Sequence, residues 1–201
     1  MRRYLPIPVF VIGACLMATG VCARGQARHR EFHPCVANHP PPSHLKLSGV
    51  DVTLIFSPQG GGENLIVQAL DAAQHTILVQ AYSFTDRHIL DALARAARRG
   101  VAVSVILDRS DTERYHGRPS VAERIAAMNI PVWIDDTVET AHNKVLVLDD
   151  SDVITGSYNF SYAADRRNAE NLLYLRHAPE LVRAYTVDWE WRRDCSRRYR
   201  Q

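Results

Sequence analysis

The chain has 201 residues, 46% of them hydrophobic and 23% charged, which is enough to bury one ordinary core and excludes a wholly disordered chain. Its formal net charge of +2 comes from 24 basic and 22 acidic residues. Arg2 and Arg3 account for the whole excess, so any affinity for a polyanion has to come from local patches.

The first element is a leader. Arg2 and Arg3, the apolar run from Ile7 to Ala18, and Val21-Cys22-Ala23 predict a signal peptide over residues 1–23, cleaved after Ala23. The run is short against the roughly 20 apolar residues a full span needs, so no stable membrane span is expected after cleavage. An uncleaved anchor and lipoprotein processing at Cys15 are the alternatives. Residues 24–49 are rich in Arg, His and Pro and predict a linker. His29, His33, His39, His44 and Cys35 are metal-ligand types, but their spacing matches no zinc pattern. Cleavage would leave Cys35 and Cys195 as the remaining cysteines in an oxidising compartment. A disulfide is the preferred reading, two free thiols the other.

The ordered domain is expected over 50–201. Val52–Phe56 predicts a strand, and Gly60-Gly61-Gly62 a turn feeding a helix over 63–74. No Gly-Lys-Ser/Thr follows, so these glycines do not form a nucleotide-cradling loop. Thr76–Tyr82 predicts a buried strand, 86–99 a helix stopped by Gly100, and Val101–Leu107 another buried strand. A helix over 120–128 and a short strand over 131–134 follow. Lys144–Leu148 and Val153–Thr155 flank Asp149-Asp150-Ser151-Asp152 and predict a hairpin. A strand over 170–175 and a helix over 179–192 complete the chain. The alternation predicts an α/β fold: a mixed, largely parallel β-sheet flanked by helices on both faces. Arg192, Arg193, Arg197, Arg198 and Arg200 form either a basic patch or a solvated helix end.

The chemistry concentrates between His142 and Asn171. His142 and Lys144 are two apart, so on a strand they share a face, as Ser157 and Asn159 do in extended chain. A lysine supplies charge, while Ser and Asn supply neutral hydrogen bonds to an anion. An imidazole can attack phosphorus or exchange protons near neutral pH. Glu170 is placed to orient that imidazole.

The spacing His142-Asn143-Lys144, four residues, Asp149, six residues, Gly156-Ser157, then Asn159 resembles the HKD signature of the phospholipase D superfamily. Phe56-Ser57-Pro58, Val79 to Thr85, Arg99-Gly100-Val101, Val132 to Asp135 and Arg167 to Asn171 resemble its single-motif bacterial endonuclease branch, the Nuc-like members. The resemblance covers roughly residues 50–192. It implies a phosphodiesterase whose catalytic residues are His142, Lys144, Asn159, Glu170, Ser157 and, with a mainly structural role, Asp149.

Members need two motifs in one site. A second partial match, His44-Leu45-Lys46 with Asp51, has Pro58-Gln59 where Gly-Ser belongs and Gly61 where Asn belongs, and is read as coincidence. The resemblance therefore implies a homodimer with a shared site, a phosphohistidine on His142, and no metal or other cofactor. The expected partner is a nucleic acid substrate, DNA or RNA, cleaved without sequence preference, since no base-reading helix motif is present. Phospholipid head groups are the alternative substrate. A binding protein that kept the fold without chemistry is the non-enzymatic alternative, and the complete residue set argues against it. The expected location is the periplasm or the exterior.

Overall fold

A computed structural model describes Cys35 and residues 39–200. The expected signal peptide, with most of the linker including His29 and His33, lies outside the described residues. Residues 39–50 carry no helix or strand, and 41–49 are exposed. His39 packs edge-on against Trp191 at 4.7 Å between ring centroids. Cys35 is disulfide-bonded to Cys195, with 5.6 Å between Cα atoms. Cys35 is therefore no metal ligand.

The domain is built on one eight-stranded sheet. Its strands are β1 (Asp51–Phe56), β2 (Thr76–Ala81), β3 (Ala102–Asp108), β4 (Val132–Asp135), β5 (Lys144–Leu148), β6 (Asp152–Gly156), β7 (Asn171–Arg176) and β8 (Arg197–Arg198), in spatial order β1-β7-β6-β5-β2-β3-β4-β8. Five helices accompany them: α1 (Gly62–Ala72), α2 (Arg87–Arg98), α3 (Val121–Ala126), α4 (Tyr162–Arg166) and α5 (Pro179–Cys195).

The expected mixed α/β class is the observed one, but the sheet is not largely parallel. Only β2–β3 and β3–β4 pair in parallel, and the other pairings are antiparallel. The helical crossovers α2 and α3 impose parallel pairing where they occur. α1 does not, because β1 crosses to the far edge and pairs with β7 instead of β2. From β5 onward the links are a hairpin and the short α4, which return the chain antiparallel.

Strand alternation sends side chains to two apolar layers. Ile77, Val79, Val105, Leu107, Ile134, Leu146 and Ile154 join Ile66 and Leu70 of α1 and Ile89 and Leu93 of α2 in the main core. Each such fully buried side chain contributes about 1.5–3 kcal/mol. On the opposite face Val145, Val147 and Val153 pack on Val182 of α5. Trp189 of α5 donates its indole N–H to the Val79 carbonyl at 2.9 Å. Local chemistry fixes the helix ends. Asp86 caps α2 by accepting from the His88 and Ile89 N–H groups. Gly100 stops it at φ 92°, a conformation that favours glycine.

Candidate active site

The strand registers converge on one end of the sheet. Ala81 pairs with Lys144, Val145 with Thr155, Gly156 with Leu172, and Phe56 with Asn171. Tyr82, His142, Ser157, Glu170 and Ser57 lie just beyond those pairs and so gather at the same edge. Gly156 permits the approach: a Cβ there would run into the Asn171 carbonyl.

His142 sits in the turn entering β5, with its side chain exposed. Both flanks of that turn are held. Ala141 donates its N–H to Asp108 Oδ2 at 2.8 Å, and the Asn143 carbonyl accepts from the Tyr82 N–H at 3.0 Å. Asp108 is buried at the end of β3 and also accepts from the Ser110 N–H and hydroxyl. The His142 ring rests against the Tyr82 ring, 4.5 Å between centroids.

Lys144 is only 5% exposed. Its Nζ donates to the His142 carbonyl at 2.7 Å and lies 5.0 Å over the Tyr82 ring. Burial depresses its pKa from 10.5 to about 8, against the pull of the Glu170 carboxylate, which favours the cation. A buried ammonium with one carbonyl partner is poised for an anion.

Glu170 is tightly fixed. Ser157 Oγ donates to its Oε2 at 2.6 Å and Asn168 Nδ2 to its Oε1 at 2.9 Å. Ser57 secures the same loop, donating through Oγ to the Asn168 carbonyl and accepting from the Glu170 N–H. Among the described residues no hydrogen bond or ion pair joins Glu170 to His142. Within one chain the His142 ring rests on Tyr82 between held backbone flanks, and the Glu170 carboxylate favours the Lys144 cation. Asn159 is half-buried, and its Oδ1, an acceptor, is buried without a partner.

Asp149 is elsewhere. It stands at the opposite end of β5 from Lys144, roughly 16 Å away at a strand's rise. There its carboxylate accepts from the N–H groups of Gln74 (2.7 Å), His75 (2.7 Å) and Thr76 (2.9 Å). Those bonds tie the β5–β6 hairpin to the start of β2, which is the form the mainly structural role expected of Asp149 takes here. Tyr82, Ser57, Asn168 and Asp108 are site-building residues the motif does not mark.

The tail arginines are mostly engaged within the chain. Arg192 pairs with Asp135, Arg193 with Asp194, Arg197 with Asp136, and Arg198 lies 4.3 Å over the Trp133 ring. They do not form a free basic patch. Glu63, Asp86 and His88 are the one group of potential metal ligands found among the described residues. His88 Nδ1 is already 2.8 Å from Glu63 Oε1, and Asp86 caps α2. None of the three contacts His142, Lys144, Asn159 or Glu170.

This geometry agrees with comparisons to known proteins. Residues 66–192 match the family described as "Cardiolipin synthase, PLD-like domain". A phospholipase D of Rickettsia bellii is 35% identical over 186 residues, covering 90% of this chain and 89% of that protein. A mitochondrial cardiolipin hydrolase of Drosophila melanogaster is 27% identical over 62% of this chain and 44% of its own length. Among solved structures, the phospholipase D family member Nuc from Salmonella typhimurium superposes with a TM-score of 0.70 at 35% identity, covering 76% of this chain and 99% of that one. The chain thus belongs to the phospholipase D superfamily of phosphodiesterases.

Proposed function

We propose that the protein is a metal-independent, non-specific endonuclease that hydrolyses DNA or RNA phosphodiesters in an active site shared by two copies of the chain. The observation that carries the reading is the gathering of exposed His142, buried Lys144 and the Ser157-fixed Glu170 at one edge of the sheet, with one such set per chain. His142 attacks phosphorus, forming an N–P bond as the P–O bond to the leaving group breaks. The partner subunit's His142 donates a proton to the departing oxygen. That same imidazole then takes a proton from water, whose oxygen attacks phosphorus and releases His142. Lys144 and Asn159 of both copies hold the non-bridging oxygens, and Glu170, fixed by Ser157, favours the charged Lys144.

Two histidines in opposite roles require two copies, because an unprotonated alkoxide is a poor leaving group. A purified heterodimer of wild-type and His142→Ala chains should lose nearly all steady-state turnover in a plasmid-nicking assay. Half of wild-type activity would mean independent sites and would overturn the shared site. Export through the leader is part of the same reading, and the Cys35–Cys195 disulfide supports an oxidising compartment.

A second reading, hydrolysis of phospholipid head groups, has its own support. Val52, Leu54 and Phe56 project from β1 as an exposed apolar row, Phe56 at 65% exposure next to Ser57. The named relatives include phospholipases D and a cardiolipin hydrolase. Choline release from phosphatidylcholine without plasmid nicking would favour it.

A further inference from the structure

A cavity of about 590 Å³ opens beside the site, between the turn after β3, the start of α2 and the start of α3. Its lining is linked to the catalytic edge through the chain and shared hydrogen-bond partners. Phe84 lies two positions after Tyr82, Thr85 donates its N–H to the Phe160 carbonyl next to Asn159, and Ser110 bonds the same Asp108 that clamps the His142 turn. Arg87, Arg118 and Arg124 line the cavity, and among the described residues none has a carboxylate partner. Their neighbour Arg114, by contrast, is spent on Glu123. Tyr115 stands at the mouth, 76% exposed.

The acidic groups do not cancel this charge. Glu113 is the exposed carboxylate of the lining. Asp111 is 8% exposed, accepts one long bond from the Phe84 N–H at 3.3 Å, and has its Oδ2 buried without a partner. Burial, more than the nearby Asp108, raises its pKa to about 7, so near neutral pH much of it is uncharged. Three guanidiniums without a carboxylate partner among the described residues thus share the lining with one exposed acid and one that is about half protonated near neutral pH. Guanidiniums suit phosphate oxygens, and an exposed phenol ring offers a stacking face to a base.

We propose that this cavity is a nucleotide subsite for single-stranded polynucleotide, in which Arg87, Arg118 and Arg124 hold a phosphodiester flanking the one being cleaved and Tyr115 stacks on a base. It rests on the nuclease reading for its link to turnover, but binding tests it separately. A labelled single-stranded oligonucleotide is titrated by fluorescence anisotropy into full-length protein carrying His142→Ala, with and without Arg118→Ala and Arg124→Ala. The arginine substitutions should weaken binding about tenfold and lower the salt slope by roughly 0.7 per cation removed. In the otherwise wild-type protein they should raise KM for the oligonucleotide while leaving hydrolysis of bis(p-nitrophenyl) phosphate unchanged, since that substrate has no flanking phosphate. Tyr115→Ala should weaken binding without changing the salt slope. Unchanged oligonucleotide affinity and slope would overturn the subsite, as would loss of binding to phosphatidylglycerol vesicles in place of oligonucleotide. A wild-type protein that cleaves neither substrate would defeat the nuclease reading, leaving anisotropy to decide the subsite.

Discussion

The Tyr82 ring lies against the His142 ring, 4.5 Å between centroids, and Tyr82 is thereby the side chain that positions the imidazole within one chain. The same ring faces the Lys144 ammonium. Removing it frees His142 to rotate away from attack geometry. Tyr82→Ala should lower kcat by on the order of 10- to 100-fold, the cost of a misplacement near 1 Å, with a smaller effect on KM. Tyr82→Phe keeps the ring and should recover most of the rate. Equal losses in both variants would transfer the role to the hydroxyl and refute positioning by the ring.

Asp149 gives the opposite signature. Burial pushes its carboxyl up, but the bonds from the Thr76, Gln74 and His75 N–H groups hold it below the usual carboxylate range. Its stabilising contribution is therefore complete above the unfolded pKa and is lost as pH falls through the depressed folded value. Asp149→Asn should cost about 1–3 kcal/mol by denaturant titration. Turnover below the melting transition should stay near wild type, and a hundredfold fall in kcat with an intact fold would return Asp149 to the catalytic set.

Much of this was legible in the sequence, and the failures have physical causes. The long periodic elements α1, α2, β2, β3 and β5 match their expected spans because each buries a continuous apolar face. α4 and β8 were not anticipated, being too short to carry a period. Parallel pairing was overread at β1, since a βαβ string does not say whether its strands are neighbours. At the site, the motif marks His142, Lys144, Ser157 and Asn159 and the stretch Arg167 to Asn171 adds Glu170; strand register brings His142, Lys144, Ser157 and Glu170 to one edge. The motif also includes Asp149, whose fixed spacing comes from the hairpin it closes. Ser57 and Tyr82 lie in stretches that carry the resemblance but no assigned role, Asp108 in none, and their proximity to the site arises only when β1, β2 and β3 are placed in the sheet with β5 to β7. For the tail arginines the sequence left a patch and a solvated helix end open, because the partners Asp135 and Asp136 of Arg192 and Arg197 are distant in sequence.

The Cys35–Cys195 bond spans 160 residues and ties the segment before β1 to the end of α5. Loop-closure entropy puts its contribution at about 5 kcal/mol. Reduction, or Cys35→Ser with Cys195→Ser, should lower Tm clearly in calorimetry. The catalytic edge is built from β2, β5, β6 and β7, so turnover at low temperature should persist. Unchanged Tm on reduction would remove the disulfide from the account of stability.

In the proposed mechanism Lys144 and Asn159 supply the charge stabilisation, so no step calls for a divalent ion. Plasmid cleavage should continue in excess EDTA. Cleavage lost in chelator and restored by Mg²⁺ or Zn²⁺ would overturn the proposed mechanism. Glu63→Gln would then show whether the Glu63, Asp86 and His88 group holds the ion.

Lys144 links function to stability through pH. Its folded pKa of about 8 lies below the ordinary 10.5, so folding favours the neutral amine. Above about 10.5 the amine is neutral in both states and costs nothing. Between 10.5 and 8 the unfolded chain binds the proton more readily, so stability falls as pH drops. Below 8 the cost is constant, on the order of 3 kcal/mol. Catalysis runs the other way, because only the ammonium holds phosphoryl oxygens. The free enzyme's kcat/KM should therefore decline as pH rises through about 8. Lys144→Met, matched in length and uncharged, should raise Tm at neutral pH while abolishing turnover. A variant both inactive and destabilised would show that the ammonium's bond to the His142 carbonyl outweighs its burial cost. A flat kcat/KM profile from pH 7 to 9 in the wild type would refute the depressed pKa itself.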